Sequence, residues 1–207
     1  MDNQIRDIIS NYEPKPYHKR RHSSVLIPLV DVNGEDHVLY EIRSQTVSQP
    51  GDTAFPGGHV ENGETYEEAS IRETMEELGI SREQIEVYGE IDYIIHDRAD
   101  IRCFVGRLHD ISIDKLDFSD EVAEVFTVPL SYLINNPPTY YDLVFDSRRD
   151  QSFPFERIQN GRNYNFRQQT SKVPFYDLPN HHTLWGFTAN MTHRFTQILM
   201  KYSNFKK

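Results

Sequence analysis

Four glutamates and an arginine, Glu64, Arg72, Glu73, Glu76 and Glu77, crowd into one short stretch of the chain. An α-helix advances about 100° per residue, so with Ile71 set at zero Met75 falls at about 40° and Leu78 at about 340°, one apolar stripe. Glu73, Glu76 and Glu77 fall at about 200°, 140° and 240°, which places the three carboxylates on the face opposite that stripe. Like charges three or four residues apart each cost a helix roughly 0.2–0.5 kcal/mol, so the cluster calls for a counter-charge. Arg72 supplies part of it. A hard divalent cation, which takes oxygen ligands, would supply the rest. The helix alone reads equally as an amphipathic helix with a solvated acidic face; the loop ahead of it favours chemistry. Gly57 and Gly58 have no side chains, so backbone groups there can approach a metal or a phosphate closely. Glu64 stands just before the helix, within reach of the same face.

The elements that must position these residues are legible in outline. Thr65 with Glu68 three residues on forms a capping box, and Gly79 is a stop, so a helix is predicted over Tyr66–Leu78. Residues 44–58 are loop chemistry, with Pro50-Gly51 and Phe55-Pro56-Gly57-Gly58. Ser24–Val32 and His37–Arg43, joined at Asn33-Gly34, read as a hairpin. Ile5, Ile8, Ile9 and Tyr12 predict a short leading helix over residues 3–12, ended by Pro14 and Pro16. The basic stretch that follows (His18, Lys19, Arg20, Arg21, His22) reads as a solvated edge rather than a phosphate contact. Strands are predicted near Ile85–Ile95, Ile101–Leu108 and Val122–Val128, with a short helix after Pro129. Residues 137–182 read as an irregular insertion with room for a hairpin. A C-terminal helix carries Leu184, Phe187, Met191, Phe195, Ile198, Leu199 and Tyr202 on its core face. Strands mixed with helices imply an α/β or α+β domain. Its predicted parts are a lead-in at 1–22 and a main domain at 23–207.

Counted from Gly58, the chain runs Gly58, five residues, Glu64, seven residues, then Arg72-Glu73-Thr74-Met75-Glu76-Glu77-Leu78-Gly79-Ile80, which resembles the Nudix box GX5EX7REUXEEXGU. Gly58, Glu64, Arg72, Glu73, Glu76, Glu77 and Gly79 match its fixed positions. Ile80 suits a bulky aliphatic position and Thr74 departs from one. The resemblance implies a Nudix fold, an α/β/α sandwich around a mixed β-sheet. It also implies Mg2+ (or Mn2+) dependent hydrolysis of a nucleoside diphosphate linked to another moiety. By that similarity Glu73, Glu76 and Glu77, with Gly58, would hold metal. Arg72 would orient the glutamates, Glu64 would support them, and one of them or a distal glutamate would activate water. Glu121 and Glu124 are the distal candidates. On a strand they would face opposite ways, and Glu121 is preferred.

Further stretches are similar to the coenzyme A pyrophosphatase branch: Ser24–Val30, Arg43-Ser44 followed by Gly51 and Phe55–Gly58, Glu121–Leu130, and Leu184-Trp185-Gly186-Phe187-Thr188-Ala189. That likeness implies cleavage of coenzyme A or its thioesters to 3',5'-ADP and 4'-phosphopantetheine, with Arg43, Gly57 and Gly58 at the phosphates. The branch carries an arginine shortly after the Arg-Ser pair. Here Gln45-Thr46-Val47-Ser48-Gln49-Pro50 lacks it, and a lost charge-assisted contact is worth about 1.5–3 kcal/mol. Arg148, Arg149, Arg157, Arg162 and Arg167 of the insertion are candidate replacements, against a reading as solubilising charge. ADP-ribose, NADH and dinucleoside polyphosphates stay open as substrates, as does a non-catalytic nucleotide-sensing module.

Composition bounds the partners. The chain of 207 residues carries 22 basic and 32 acidic residues, a formal net charge of −10. That balance argues against broad binding to nucleic acid or an anionic membrane, and a polyanionic small-molecule nucleotide would need a cation as mediator. A homodimer is compatible with all of this. Cys103 is the single cysteine, which excludes an internal disulfide and fits a reducing cytoplasmic setting; it reads as a buried strand residue. No apolar run approaches a membrane span, and the N-terminal residues lack the apolar core of a secretory signal. His96, His181, His182 and His193 are too scattered for zinc. Trp185 and Phe187 read as core more readily than as base-stacking platforms.

Overall fold

Asn33 (φ 55°) and Gly34 (φ 85°) both occupy the left-handed region, which a two-residue turn between antiparallel strands requires. They join β1 (Arg21–Val32) to β2 (Glu35–Arg43), paired from Leu29↔Val38 to Val32↔Glu35, as the sequence predicts. The computed structural model describes residues 2–15, 17, 20–95, 99–145, 152–166, 169–179 and 181–202. His18 and Lys19 of the basic lead-in lie outside them. Ahead of β1, the predicted leading helix is α1 (Asp2–Ser10), with Ile5, Ile8, Ile9 and Tyr12 exposed.

The stretch read as loop chemistry holds two short strands, β3 (Thr53–Ala54) and β4 (Gly57–His59). Beyond it come α2 (Tyr66–Leu78), β5 (Ile85–Glu90), β6 (Ile94–Ile95), β7 (Ala99–Leu108), β8 (Val122–Pro129) and α3 (Leu130–Asn135). The main sheet runs β3-β2-β1-β7-β5, with β4 added on β1, β6 on β7 and β8 on β2. β1 and β7 are parallel while the remaining pairs are antiparallel, so the sheet is mixed.

Both faces of this sheet are covered. Leu26, Val30, Leu39, Phe104 and Leu108 pack with Ile71 and Leu78 of α2 on one face. Ile27, Leu29, Val38, Tyr40, Cys103 and Val105 pack on the other with Leu130 and Leu133 of α3 and with the C-terminal helix. Each such side chain, fully buried, contributes roughly 1.5–3 kcal/mol. Because both faces are dry, Val38, Leu39 and Tyr40 are all 0% exposed, and β2 shows no in-out alternation of polarity to a sequence reader.

The segment at 137–182 is more regular than expected. β9 (Thr139–Phe145) pairs antiparallel with β10 (Gln169–Asp177), which also pairs with β11 (Thr183–Trp185), giving a second, three-stranded sheet. The C-terminal helix α4 (Gly186–Tyr202) begins later than predicted. Gly186 takes φ 64°, so Leu184 belongs to β11. The face of α4 turned to the core is Thr188, Ala189, Met191, Thr192, Phe195 and Thr196, while Tyr202 is 74% exposed. Three threonines are tolerated there because each hydroxyl is used. Thr188 donates to the Thr53 carbonyl (2.9 Å), Thr192 to the Thr188 carbonyl (2.9 Å) and Thr196 to the His193 carbonyl (2.9 Å). No helix among the described residues is long and apolar enough to cross a membrane.

Candidate active site

The acidic helix α2 is fixed at both ends by its own sequence. The Thr65 hydroxyl accepts from the Glu68 N–H (3.2 Å) and the Glu68 carboxylate accepts from the Thr65 N–H (2.8 Å), the predicted capping box. Gly79 closes the helix at φ 65°, and a Cβ there would stand 2.1 Å from the Asp117 carbonyl oxygen. Thr74 is buried, and its hydroxyl donates to the Ser70 carbonyl at 2.7 Å, so a polar residue sits at an aliphatic position without an unmet hydrogen bond.

The three carboxylates, which the helical angles place on one face, differ in depth. They fan from the interior outward: Glu77 is 4% exposed, Glu73 is intermediate, and the Glu76 side chain is 61% exposed. The cause is that α2 packs against β4 as well as the main sheet, so one flank of its polar face is roofed. There the Gly57 N–H donates to Glu77 Oε2 at 2.8 Å. A Cβ on Gly58 would stand 2.3 Å from Glu73 Oε1, so only glycine lets that backbone lie against the carboxylate.

Arg72 organises the outer part. Its Nε and one terminal nitrogen donate to the two oxygens of Glu64 (2.9 and 3.2 Å), and the other terminal nitrogen reaches Glu73 (3.0 Å) and Glu76 (3.1 Å). It also donates to the His59 carbonyl at 2.9 Å, tying α2 to β4. These hydrogen bonds hold Glu64 below its ordinary carboxyl value and Arg72 more firmly protonated than usual. Glu73 is nonetheless pushed up, because burial outweighs the hydrogen bond from Arg72.

A fifth carboxylate lies beneath the others. Glu41 of β2 shares strand parity with Leu39, which packs under α2, so its side chain faces that helix. It is 1% exposed, and its Oε2 is buried with no hydrogen-bond partner. Burial pushes Glu41 up to about 7, opposed by Arg43 and reinforced by Glu121 and Glu73. Burial and the Glu41 charge push Glu77 up to about 9, against the hydrogen bond from Gly57. The Ser24 hydroxyl, on the residue paired with Gly58, is likewise buried without a partner. Sequence reasoning missed Glu41. The available signal was a lone carboxylate inside the apolar run Val38-Leu39-Tyr40-Glu41-Ile42.

Beside Glu73 and Glu77 lies a cavity of about 710 Å³. Glu73, Glu77, Glu121, Arg43, Gly57 and Gly58 line it, and Ile101, Trp185 and Phe187 supply apolar lining. Arg43 is anchored by its Nε to the Ser48 carbonyl at 2.8 Å. Glu64 and Arg72 border a second pocket, and Glu76 borders neither of the two. Glu121 lies just ahead of β8 rather than on it, whereas Glu124 pairs with His182 at 3.0 Å. Arg157 stands 3.9 Å from Glu156 and Arg162 lies over the Phe155 ring at 5.0 Å, and neither borders the cavity. Arg148, Arg149 and Arg167 lie outside the described residues, as does His96.

The donor set suits a hard cation. It is oxygen-rich, and its inner members Glu41 and Glu77 are held above their ordinary values chiefly by burial, with the Glu41 charge adding to the effect on Glu77 and Arg43 offsetting only part of it. As they stand, Arg72 engages Glu73 and Glu76 while Gly57 engages Glu77, and no three metal-binding side chains among the described residues close into a ready-made cage.

Comparison with known proteins gives a consistent setting. Residues 20–145 match a family model described as the NUDIX domain. The chain is 42% identical over 116 residues to Nudix hydrolase 3 of Caenorhabditis elegans, covering 54% of this chain and 48% of that protein. It is 33% identical over 156 residues to the peroxisomal coenzyme A diphosphatase NUDT7 of Mus musculus, covering 72% and 66%. It therefore spans less than two thirds of the length of either relative. In fold it is similar to a MutT/nudix family protein from Enterococcus faecalis, with TM-score 0.53 and 16% identity over 96% of this chain and 69% of that one.

Proposed function

Because the chain belongs to the Nudix family, we propose that it hydrolyses the diphosphate bond of a nucleoside diphosphate derivative, with coenzyme A or its thioesters as substrate and Mg2+ (or Mn2+) as cofactor. The observation that carries this reading is the cavity onto which Glu73, Glu77, Glu121 and the side-chain-free Gly57-Gly58 backbone all open. Glu73 and Glu77 with the Gly58 backbone would hold the cation, and Glu76, outside the cavity as it stands, would have to turn toward it to join them. When bound, such a cation neutralises phosphoryl oxygens and lowers the pKa of a coordinated water. Arg72 keeps Glu73 and Glu76 oriented through direct ion pairs, braced by Glu64. The Gly57 N–H fixes one oxygen of Glu77 and leaves the other available. Glu121, exposed at the cavity edge, is assigned the proton of the attacking water. Arg43 is assigned the substrate phosphates, its guanidinium placed by the Ser48 carbonyl.

A turnover panel in Mg2+ with coenzyme A, ADP-ribose, NADH and a dinucleoside polyphosphate tests the reading. Coenzyme A should yield 3',5'-ADP and 4'-phosphopantetheine. If it is left intact while ADP-ribose is split, the substrate assignment fails; if nothing is cleaved, the hydrolytic reading fails.

A further inference from the structure

The chain has a single tryptophan, Trp185, and it is not in the core: it is 38% exposed and borders the cavity. It is also held rigidly. β11 pairs with β10 in the register Phe175↔Trp185, and the two rings stack with centroids 5.6 Å apart and planes 18° from parallel. Tyr141 of β9 braces Phe175 edge-on, at 5.6 Å and 85°. The segment around Trp185 is tied to β3 from both sides. The Thr53 hydroxyl donates to the Thr183 carbonyl (2.7 Å), and the Thr188 hydroxyl donates to the Thr53 carbonyl (2.9 Å). The β9–β10 hairpin thus does one definite thing for the site: it backs an aromatic ring that lines the same cavity as Glu73, Glu77, Glu121 and Arg43. An aromatic ring immobilised on one side and accessible on the other suits a flat π-face, and a nucleobase provides one.

We propose that Trp185, backed by Phe175 and accompanied by Phe187, is the stacking platform for the nucleobase of the substrate. It determines that one half of the cleaved diphosphate carries an aromatic base. This rests on the hydrolytic reading for its context, but base binding can be measured without turnover.

Trp185 emission, excited where tyrosine does not absorb, reports the platform directly in the intact protein. Titration with AMP in Mg2+-free buffer should quench or shift it, whereas inorganic pyrophosphate should not. Trp185→Leu keeps apolar bulk without a stacking face, and should raise KM for a cleaved adenine-containing diphosphate about 10-fold with kcat almost unchanged. Trp185→Phe should recover most of that loss. An identical response to AMP and pyrophosphate, or a wild-type KM in a folded Trp185→Leu protein, overturns the assignment. A failure of the hydrolytic reading looks different: no diphosphate is cleaved by the wild type, while AMP still perturbs Trp185.

Discussion

Replacing Glu41 by glutamine should make the metal-free protein more stable, and only at neutral to alkaline pH. Glu41 is 1% exposed with an unpartnered oxygen, and burial raises it from its ordinary 4.5 to about 7. A carboxyl whose folded value lies above its unfolded value contributes fully below the unfolded one, and that contribution is lost as pH rises through the folded one. At pH 8 both states are ionised, and moving a carboxyl from 4.5 to about 7 corresponds to about 3 kcal/mol. Glutamine has nearly the same shape, cannot ionise, and has an amide that can donate toward Glu77. In EDTA at pH 8 its midpoint should exceed wild type by about 6–12 °C, given roughly 2–4 °C per kcal/mol for a chain of this size. At pH 5 the two should differ by about 2 °C or less, since most of Glu41 is then protonated. Mg2+ should narrow the pH 8 gap, because a dication would add positive charge to what Arg43 already supplies. Thermal melts by circular dichroism at the two pH values, with EDTA or Mg2+, carry the test. Parallel midpoints across pH, or a wild type more stable at pH 8 in EDTA, would refute a buried, charge-frustrated Glu41.

Three further outcomes follow from the same geometry. Gly58→Ala places a Cβ 2.3 Å from Glu73 Oε1; the carboxylate end can swing away, so the melting midpoint should hold while kcat/KM falls about 100-fold, as for a misplaced reacting group. Glu77→Gln should cut kcat by orders of magnitude with an unchanged circular dichroism spectrum, and wild-type turnover would remove Glu77 from the chemistry. Thr65→Ala deletes the cap that receives the Glu68 N–H, so stability should drop by about 1 kcal/mol while turnover well below the melting range stays the same.

How far the sequence could be read depends on whether a signal was local. α2 came out to the residue because its capping box and Gly79 are short-range devices, and the β1–β2 turn because Asn33-Gly34 tolerates positive φ. The helical angles failed on depth. They order side chains around an axis but cannot say that β4 roofs one flank, which is why Glu77 proved buried and Glu76 exposed. The C-terminal helix was started too early because apolar spacing continues through Leu184, while the break at Gly186 is a matter of backbone φ.

Glu41 was missed, and Trp185 was read as core more readily than as a stacking platform, for a common reason: each takes its meaning from elements elsewhere in the chain. The β2 run is apolar on both faces because the sheet is covered on both sides, so Glu41 breaks no visible alternation, and its neighbours Glu73 and Glu77 come from α2. All seven residues of β9 are exposed, so no in-out pattern marked the hairpin that brings Phe175 behind Trp185. The cavity itself has an acidic lining, Glu73, Glu77 and Glu121, and an aromatic one that includes Trp185. The acidic end concentrates negative charge that a cation can satisfy, so an acidic protein can accept an acidic ligand. Under the proposed function, such an end with its cation would grip any diphosphate alike, because phosphate oxygens are the same in each. Discrimination among diphosphates would then have to come from the apolar lining, and Trp185, stacked on Phe175 of the second sheet, is the recognition face we propose for it.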